Sequence, residues 1–130
     1  MTERECLEAM ASAAIGRVAI THQVMPYIFP VNFVMADRSV YFAVMSRSIL
    51  AAATQRSVVA FQTDSLDLES GSGWTVVGVG HAYEVSEPSE TRALTNSVPK
   101  PWMTDDGPEH VVKIKLAHIS GHAVFPLGLV

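Results

Sequence analysis

Between Arg17 and Val44 three runs rich in β-branched and aromatic residues follow one another: RVAITH (Arg17–His22), PYIFPVNFVMA (Pro26–Ala36) and VYFAV (Val40–Val44). Only short connections separate them, the second of them a polar turn. Antiparallel neighbours need no more than a tight turn, whereas parallel neighbours need a crossover of a dozen or more residues. The spacing therefore predicts an antiparallel meander. SVVAFQTD (Ser57–Asp64) and WTVVGVGHAYEV (Trp74–Val85) read as further strands, and EHVVKIKLAHISGHAVF (Glu109–Phe125) as one or two closing strands. About six strands with short connections make a mainly β chain, of the kind that closes into a barrel or stacks as a sandwich.

Helices are expected at the margins. TERECLEAMASAAIG opens with a capping box, Thr2 with Glu5, carries Leu7, Met10, Ala11 and Ala14 at helical spacing, and meets a stop at Gly16. SRSILAAATQR (Ser46–Arg56) and SEPSETRALTNS (Ser86–Ser97) read as two more short helices, and Ser65–Gly73 as a flexible loop. Gly78 and Gly80 share a face of one long strand, where the sheet must bend or a neighbour must come close.

The 130 residues point to a single domain spanning 1–130. With 48% hydrophobic and 17% charged residues and a mean hydropathy of +0.24, the chain is apolar enough to imply cover by a second subunit. A net charge of −4 with no basic run argues against nucleic acid. The lone Cys6 allows no intrachain disulfide. No apolar run has the length of a membrane span, and the acidic start lacks a signal peptide's basic head, so a cytoplasmic protein is expected.

Several chemistries find no support. His118 and His122 are four apart in a strand-like stretch, a spacing that suits a metal only on a helix, so no metal site is expected. There is no dinucleotide-binding glycine motif, no Walker loop and no nucleophile elbow around GSG. More informative is MSRSIL (Met45–Leu50), where a strand hands over to a helix. Free amides at a helix start, the hydroxyls of Ser46 and Ser48 and the Arg47 guanidinium suit a phosphate, although a simple helix cap is the blander reading. YIFPVNFV (Tyr27–Val34) raises a second question. Proline cannot donate to a sheet ladder and a buried amide needs partners, yet Pro30 and Asn32 interrupt an apolar strand. Ile28, Pro30, Asn32 and Val34 would share one face, and Tyr27, Phe29, Val31 and Phe33 the other.

Read in order, FPVNFV, LAAA followed by VAF, and GSGW entering a strand resemble the small actinobacterial type of the pyridoxamine 5′-phosphate oxidase-like flavin-binding split barrels, over nearly the whole chain. The resemblance implies a homodimeric, six-stranded antiparallel split barrel with short flanking helices, and flavin mononucleotide (FMN) at the subunit interface. It implies that Pro30, Asn32 and the main chain of Val31 and Phe33 run along the flavin ring, with Ala43 beside it. Arg47 and Ser48 would then receive the phosphate, and Trp74 and Thr75 would come from the partner subunit. Relatives carry a phosphate-binding lysine where this chain has Ile49. The missing contact costs roughly ten- to a hundredfold in affinity unless Arg47 or Arg56 replaces it.

The function implied is that of an oxidoreductase. Alternatives are a deazaflavin-dependent reductase, and a non-catalytic flavin- or haem-binding protein. Pyridoxamine phosphate oxidation itself is disfavoured, because no basic cluster suits a second phosphate. No residue stands out as a general acid or base; His110 and Trp102, near the proline-rich loop, are the only side chains with a conceivable place at the site.

Overall fold

The computed structural model describes residues 1–45, 51, 54, 58–86 and 110–125. One helix, α1 (Glu3–Ser12), precedes seven strands: β1 (Ile15–His22), β2 (Met25–Asn32), β3 (Val34–Ala36), β4 (Ser39–Val44), β5 (Val58–Leu66), β6 (Gly73–Glu84) and β7 (His110–Val124). The helix expected over Ser46–Arg56 lies outside the described residues except at Ala51 and Thr54, and that over Ser86–Ser97 except at Ser86.

α1 starts as its capping box requires. The Thr2 amide donates to the Glu5 carboxylate at 2.7 Å, and the Glu5 amide donates to the Thr2 hydroxyl at 3.1 Å. It buries Cys6 and Met10 and ends at Ala13, well short of the glycine expected to stop it. Gly16 instead belongs to β1, where a Cβ would collide with the Phe61 ring. It is there to let an aromatic side chain lie flat against the strand.

Every strand pair is antiparallel, in the order β2-β1-β5-β6-β7-β4-β3. The two ends of this order, β2 and β3, are halves of one sequence run separated by Phe33 alone. That run pairs with β1 through its first half and with β4 through its second. A sheet whose outermost strands are continuous through one residue is a barrel, open where β2 has no second neighbour among the described residues. This is a split barrel. Among the described residues it has seven strands rather than the six expected, because the run Pro26–Ala36 changes partner in its middle.

Side chains alternate across the sheet as the pleat dictates. Val18, Ile20, Val31, Phe33, Val40, Phe42, Val59, Phe61, Val76, Val112 and Ile114 fill the interior with Cys6 and Met10. Phe33 meets Phe61 edge-on at 4.7 Å, and Phe29 meets Phe42 at 6.4 Å, so β2 is tied to β4 through the core as well as through β3. The β6–β7 ladder shifts register between Val79 and Gly80. A Cβ on Gly78 would come within 2.8 Å of Leu116, and one on Gly80 would run into the Lys115 backbone. The two glycines thus serve a close approach and a bulge in the same strand.

Two hairpins use left-handed residues. Gln23 and Val24, at φ 51° and 59°, turn β1 into β2, and Asp37 at φ 57° begins the β3–β4 turn. Arg38 in that second turn pairs with Glu3 of α1, and its carbonyl accepts from the Leu116 amide at 3.0 Å. The β5–β6 loop is shorter and better tied than a flexible loop over Ser65–Gly73. The Asp67 amide donates to the Ser72 carbonyl at 2.8 Å and the Gly71 amide to the Asp67 carbonyl at 2.8 Å. The Asp67 carboxylate accepts from the Glu69 amide, which holds its pKa below the usual carboxylate range, helped by the Ser70 hydroxyl.

Candidate functional site

The strand that carries Pro30 and Asn32 divides its faces as its alternation predicts. Phe29, Val31 and Phe33 point into the barrel, while Ile28 is 72% exposed and Pro30 is exposed on the outer side. Among the described residues β2 pairs only with β1, so it is an edge strand, where a proline is tolerated. Phe33 lies in neither ladder, between Asn32, the last residue paired with β1, and Val34, the first paired with β4. Main chain near Asn32 is thus handed from one neighbour to another. The side chains of Val31 and Phe33 are committed to the core.

β4 sends Val40, Phe42 and Val44 inward and Tyr41 and Ala43 outward. The outward pair is nevertheless only 6% and 3% exposed, because Val34, Val85 and Val111 pack over it. Across this covered face runs a register row: Val34 opposite Tyr41, Tyr41 opposite Lys113, and Lys113 opposite Tyr83. The Lys113 ammonium lies 5.5 Å from the centre of the Tyr41 ring and 5.6 Å from that of Tyr83. Hydrogen bonding to Tyr41 and then to Tyr83 raises the lysine's pKa above its ordinary value, against the opposite pull of partial burial. The outer face beside Asn32 therefore carries an amide, two phenols and a firmly charged ammonium, framed by valines. The valines close off Tyr41 and Ala43, so Asn32, Lys113 and Tyr83 are the groups of this face that a ligand could reach.

Trp74 and Thr75 form a second locus. Adjacent on β6, they point to opposite faces. Thr75 accepts from the Gln62 amide at 3.2 Å, Gln62 also donates to Asp64 at 2.8 Å, and Arg17 lies 3.7 Å from Asp64. Trp74 helps line a cleft of about 430 Å³ with the α1–β1 link, Arg17, Asp64 and Ser65. Two strands, β1 and β5, stand between Asn32 and Thr75 in the sheet order, so roughly 14 Å separates them. Within one chain the expected site is thus in two parts. Arg47 and Ser48, with Ile49 and Trp102, lie outside the described residues.

His110 donates from Nδ1 to the Glu84 carboxylate at 2.7 Å, and its Nε2 is buried without a hydrogen-bond partner. Alternation along β7 puts its ring on the same side as Val112 and Ile114, at the barrel's end beside Val44. That is the opposite side from Lys113. The row Tyr41–Lys113–Tyr83 had no signal in the sequence beyond the outward alternation of each residue on its own strand.

Comparison with known proteins agrees with this architecture. A family model described as pyridoxamine 5′-phosphate oxidase matches residues 2–123. An uncharacterised protein of Mycobacterium tuberculosis is 35% identical over 104 residues, covering 76% of this chain and 68% of the relative. The structure of the FAD binding protein from Mycobacterium smegmatis superimposes with a TM-score of 0.81 at 28% identity, over 97% of this chain and 98% of that one. An FAD-binding protein from Mesorhizobium loti shares the fold at a TM-score of 0.79 and 17% identity, over 95% of each chain.

Proposed function

The chain belongs to the pyridoxamine 5′-phosphate oxidase-like family of flavin-binding split barrels, and from that premise we propose that it is a homodimeric, FMN-binding oxidoreductase with its cofactor between two subunits. The observation that carries this reading is the outer face of β3, β4 and β7. There Asn32, Lys113 and Tyr83 reach the surface beside the valines that cover Tyr41 and Ala43. The substrate is left open.

A second copy would complete the site. The outer surface of the sheet carries the row Ile28, Ala19, Ala60 and Val79, one residue from each of β2, β1, β5 and β6, in direct register. Small and apolar residues in line across four strands, flanked by exposed Val58, are what a second subunit covers. Docking through that surface is how Trp74 and Thr75 of one chain would reach the Asn32 wall of the other.

In this reading Asn32 orients the ring by hydrogen bonding, and Arg47 and Ser48, beyond the end of β4 in the sequence, bind its phosphate. The valines and the second subunit exclude water. The bound flavin supplies the electron chemistry. The M. smegmatis relative binds FAD, which favours FAD as a second reading. The protein would work in the cytoplasm.

The test is a visible-absorbance titration of purified protein with FMN, FAD and the deazaflavin coenzyme, beside gel filtration. FMN binding by a dimer is expected, with Asn32→Ala weakening it about five- to tenfold, as one lost hydrogen bond implies. Preference for FAD or the deazaflavin would replace the cofactor in this reading. A strict monomer, or binding of none of the three, would overturn it.

A further inference from the structure

We propose that two copies of this chain pack through the outer faces of their sheets about a two-fold axis running along the strands between β1 and β5, so that Arg17 of each protomer meets the partner's Asp64. The inference rests on the homodimer of the reading above and fixes how its two copies meet.

Three observations lead there. The first is the pattern of sizes across the sheet. In the row Ile28, Ala19, Ala60 and Val79 the two small residues lie in the middle, on β1 and β5, and the two branched ones lie outside them, on β2 and β6. The outside of a barrel is convex. Two convex faces touch along a line and part on either side of it. Alanines on that line let the backbones approach, and the bulk of Val79 and of Ile28, which is 72% exposed, fills the space where the faces part. Large, small, small, large reads alike from both ends, as a contact between two identical surfaces requires.

The second is charge. Two residues along the same face from the alanines, Arg17 lies opposite Gln62, and Asp64 is the next outward residue of β5. Arg17 and Asp64 thus flank the β1–β5 seam, both partly exposed, with 3.7 Å between their charged atoms. A close charge-assisted hydrogen bond would be about 2.8 Å, so the pair has capacity left for a second partner. Rotation about the seam exchanges β1 with the partner's β5. Each Arg17 then lies over the partner's Gln62, within a side chain's reach of the partner's Asp64, and the two arginines and two carboxylates alternate around the axis.

The third is what the other possible axis does. A two-fold across the strands, through Ala19 and Ala60, lays Arg17 on the partner's Thr21 and Gln62 on the partner's Val58, with no opposite charge to meet. Only the axis along the seam satisfies both the sizes and the charges. That same rotation exchanges β2 with the partner's β6. Asn32 is in register with Ile15, two residues before Arg17, and Thr75 is in register with Asp64, two residues after Gln62. The partner's Thr75 therefore comes over Asn32, where the convex faces part and leave a groove. The two parts of the candidate site meet in that groove, twice in each dimer.

The experiment compares wild type, Arg17→Asp, Asp64→Arg, an equal mixture of those two variants, and Ala19→Trp. Gel filtration over a dilution series reads self-association, native mass spectrometry separates heterodimer from homodimer by chain mass, and a thermal melt of each chain reads its folding. Each charge-reversed chain alone sets like charges together at both contacts and should dimerise at least about tenfold more weakly than wild type. In the mixture every altered charge meets an opposite one on the partner, so a heterodimer of wild-type affinity is expected. Mixing cannot relieve repulsion within a single chain, so this rescue reports on contacts between chains. Ala19→Trp places a wedge on the contact line and should be monomeric; it carries the test if a reversed chain fails to fold. Reversed chains that dimerise like wild type, a mixture no tighter than its components, or an Ala19→Trp dimer would overturn the proposal while leaving the homodimer standing. A monomeric wild type would instead sink the functional reading, and this inference with it.

Discussion

β4 is buried at all six of its positions, while β2 leaves Met25 to Ile28 exposed and turns inward only toward its end. Both strands are apolar and aromatic. What separates them is their neighbours. β4 lies between β3 and β7, with the barrel core under one face and Val34, Val85 and Val111 over the other. Among the described residues β2 has β1 on one side and no strand on the other. Apolar content predicts that a strand wants cover, but the sheet order decides whether its own chain can provide it. β4 is finished within one protomer; β2, with Ile28, Tyr27, Met25 and the hairpin tip at Val24 all exposed, is left for something else to cover.

The contrast is most easily broken at its buried end. Phe42 is fully buried and stacks edge-on against Phe29, so Phe42→Ala should cost about 3–5 kcal/mol in urea unfolding. A loss below about 1 kcal/mol would remove β4 from the centre of the fold. At the exposed end, Ile28→Asp should leave the protomer folded and destabilise self-association by roughly 2 kcal/mol, since a charge would be forced into an apolar contact. Gel filtration across a dilution series reads this directly. An unchanged elution profile would mean that β2 is not the covered surface.

Smaller effects sharpen the comparison. Val24 is 92% exposed and β-branched, yet held at φ 59° in the tip of the β2 hairpin. Relief of that conformation by Val24→Gly should raise the melting temperature, by the equivalent of about 0.5–1 kcal/mol. No rise would mean that the tip's backbone is not strained in solution. On the β4 side, the smallest expected effect is a pH dependence. The pKa of Lys113 is raised in the folded chain, chiefly by Tyr41. Its contribution to stability is complete below the ordinary lysine pKa and is lost as pH rises through the folded value. Stability of the wild type should therefore fall more steeply in alkali than that of Lys113→Met, and parallel alkaline limbs would deny the contact a role.

Much of the fold was legible because period-two alternation and β-branched composition mark strands locally. The capping box at Thr2 was legible for the same reason, as its partners lie within one helical turn. Gly16 was misread as a helix stop because its reason for being glycine is the Phe61 ring, far away in sequence. The meander was legible, but the change of partner at Phe33 was not, since nothing in PYIFPVNFVMA marks where β1 ends its claim on the run and β4 begins. Of the candidate site, the strand bearing Asn32 could be found from its odd composition. The lysine between two tyrosines could not.

By itself the chain determined which segments are strands, which face of each is apolar, and that a sheet with so little room between strands must be antiparallel. These are local properties, set by side-chain alternation and connection length. Only the tertiary structure decided that one run would serve as both ends of the sheet, and that Tyr41, Lys113 and Tyr83 would stand in line. Register between strands far apart in sequence is settled by core packing, by a bulge at Gly80 and by the closure of the barrel, and no single segment encodes any of these.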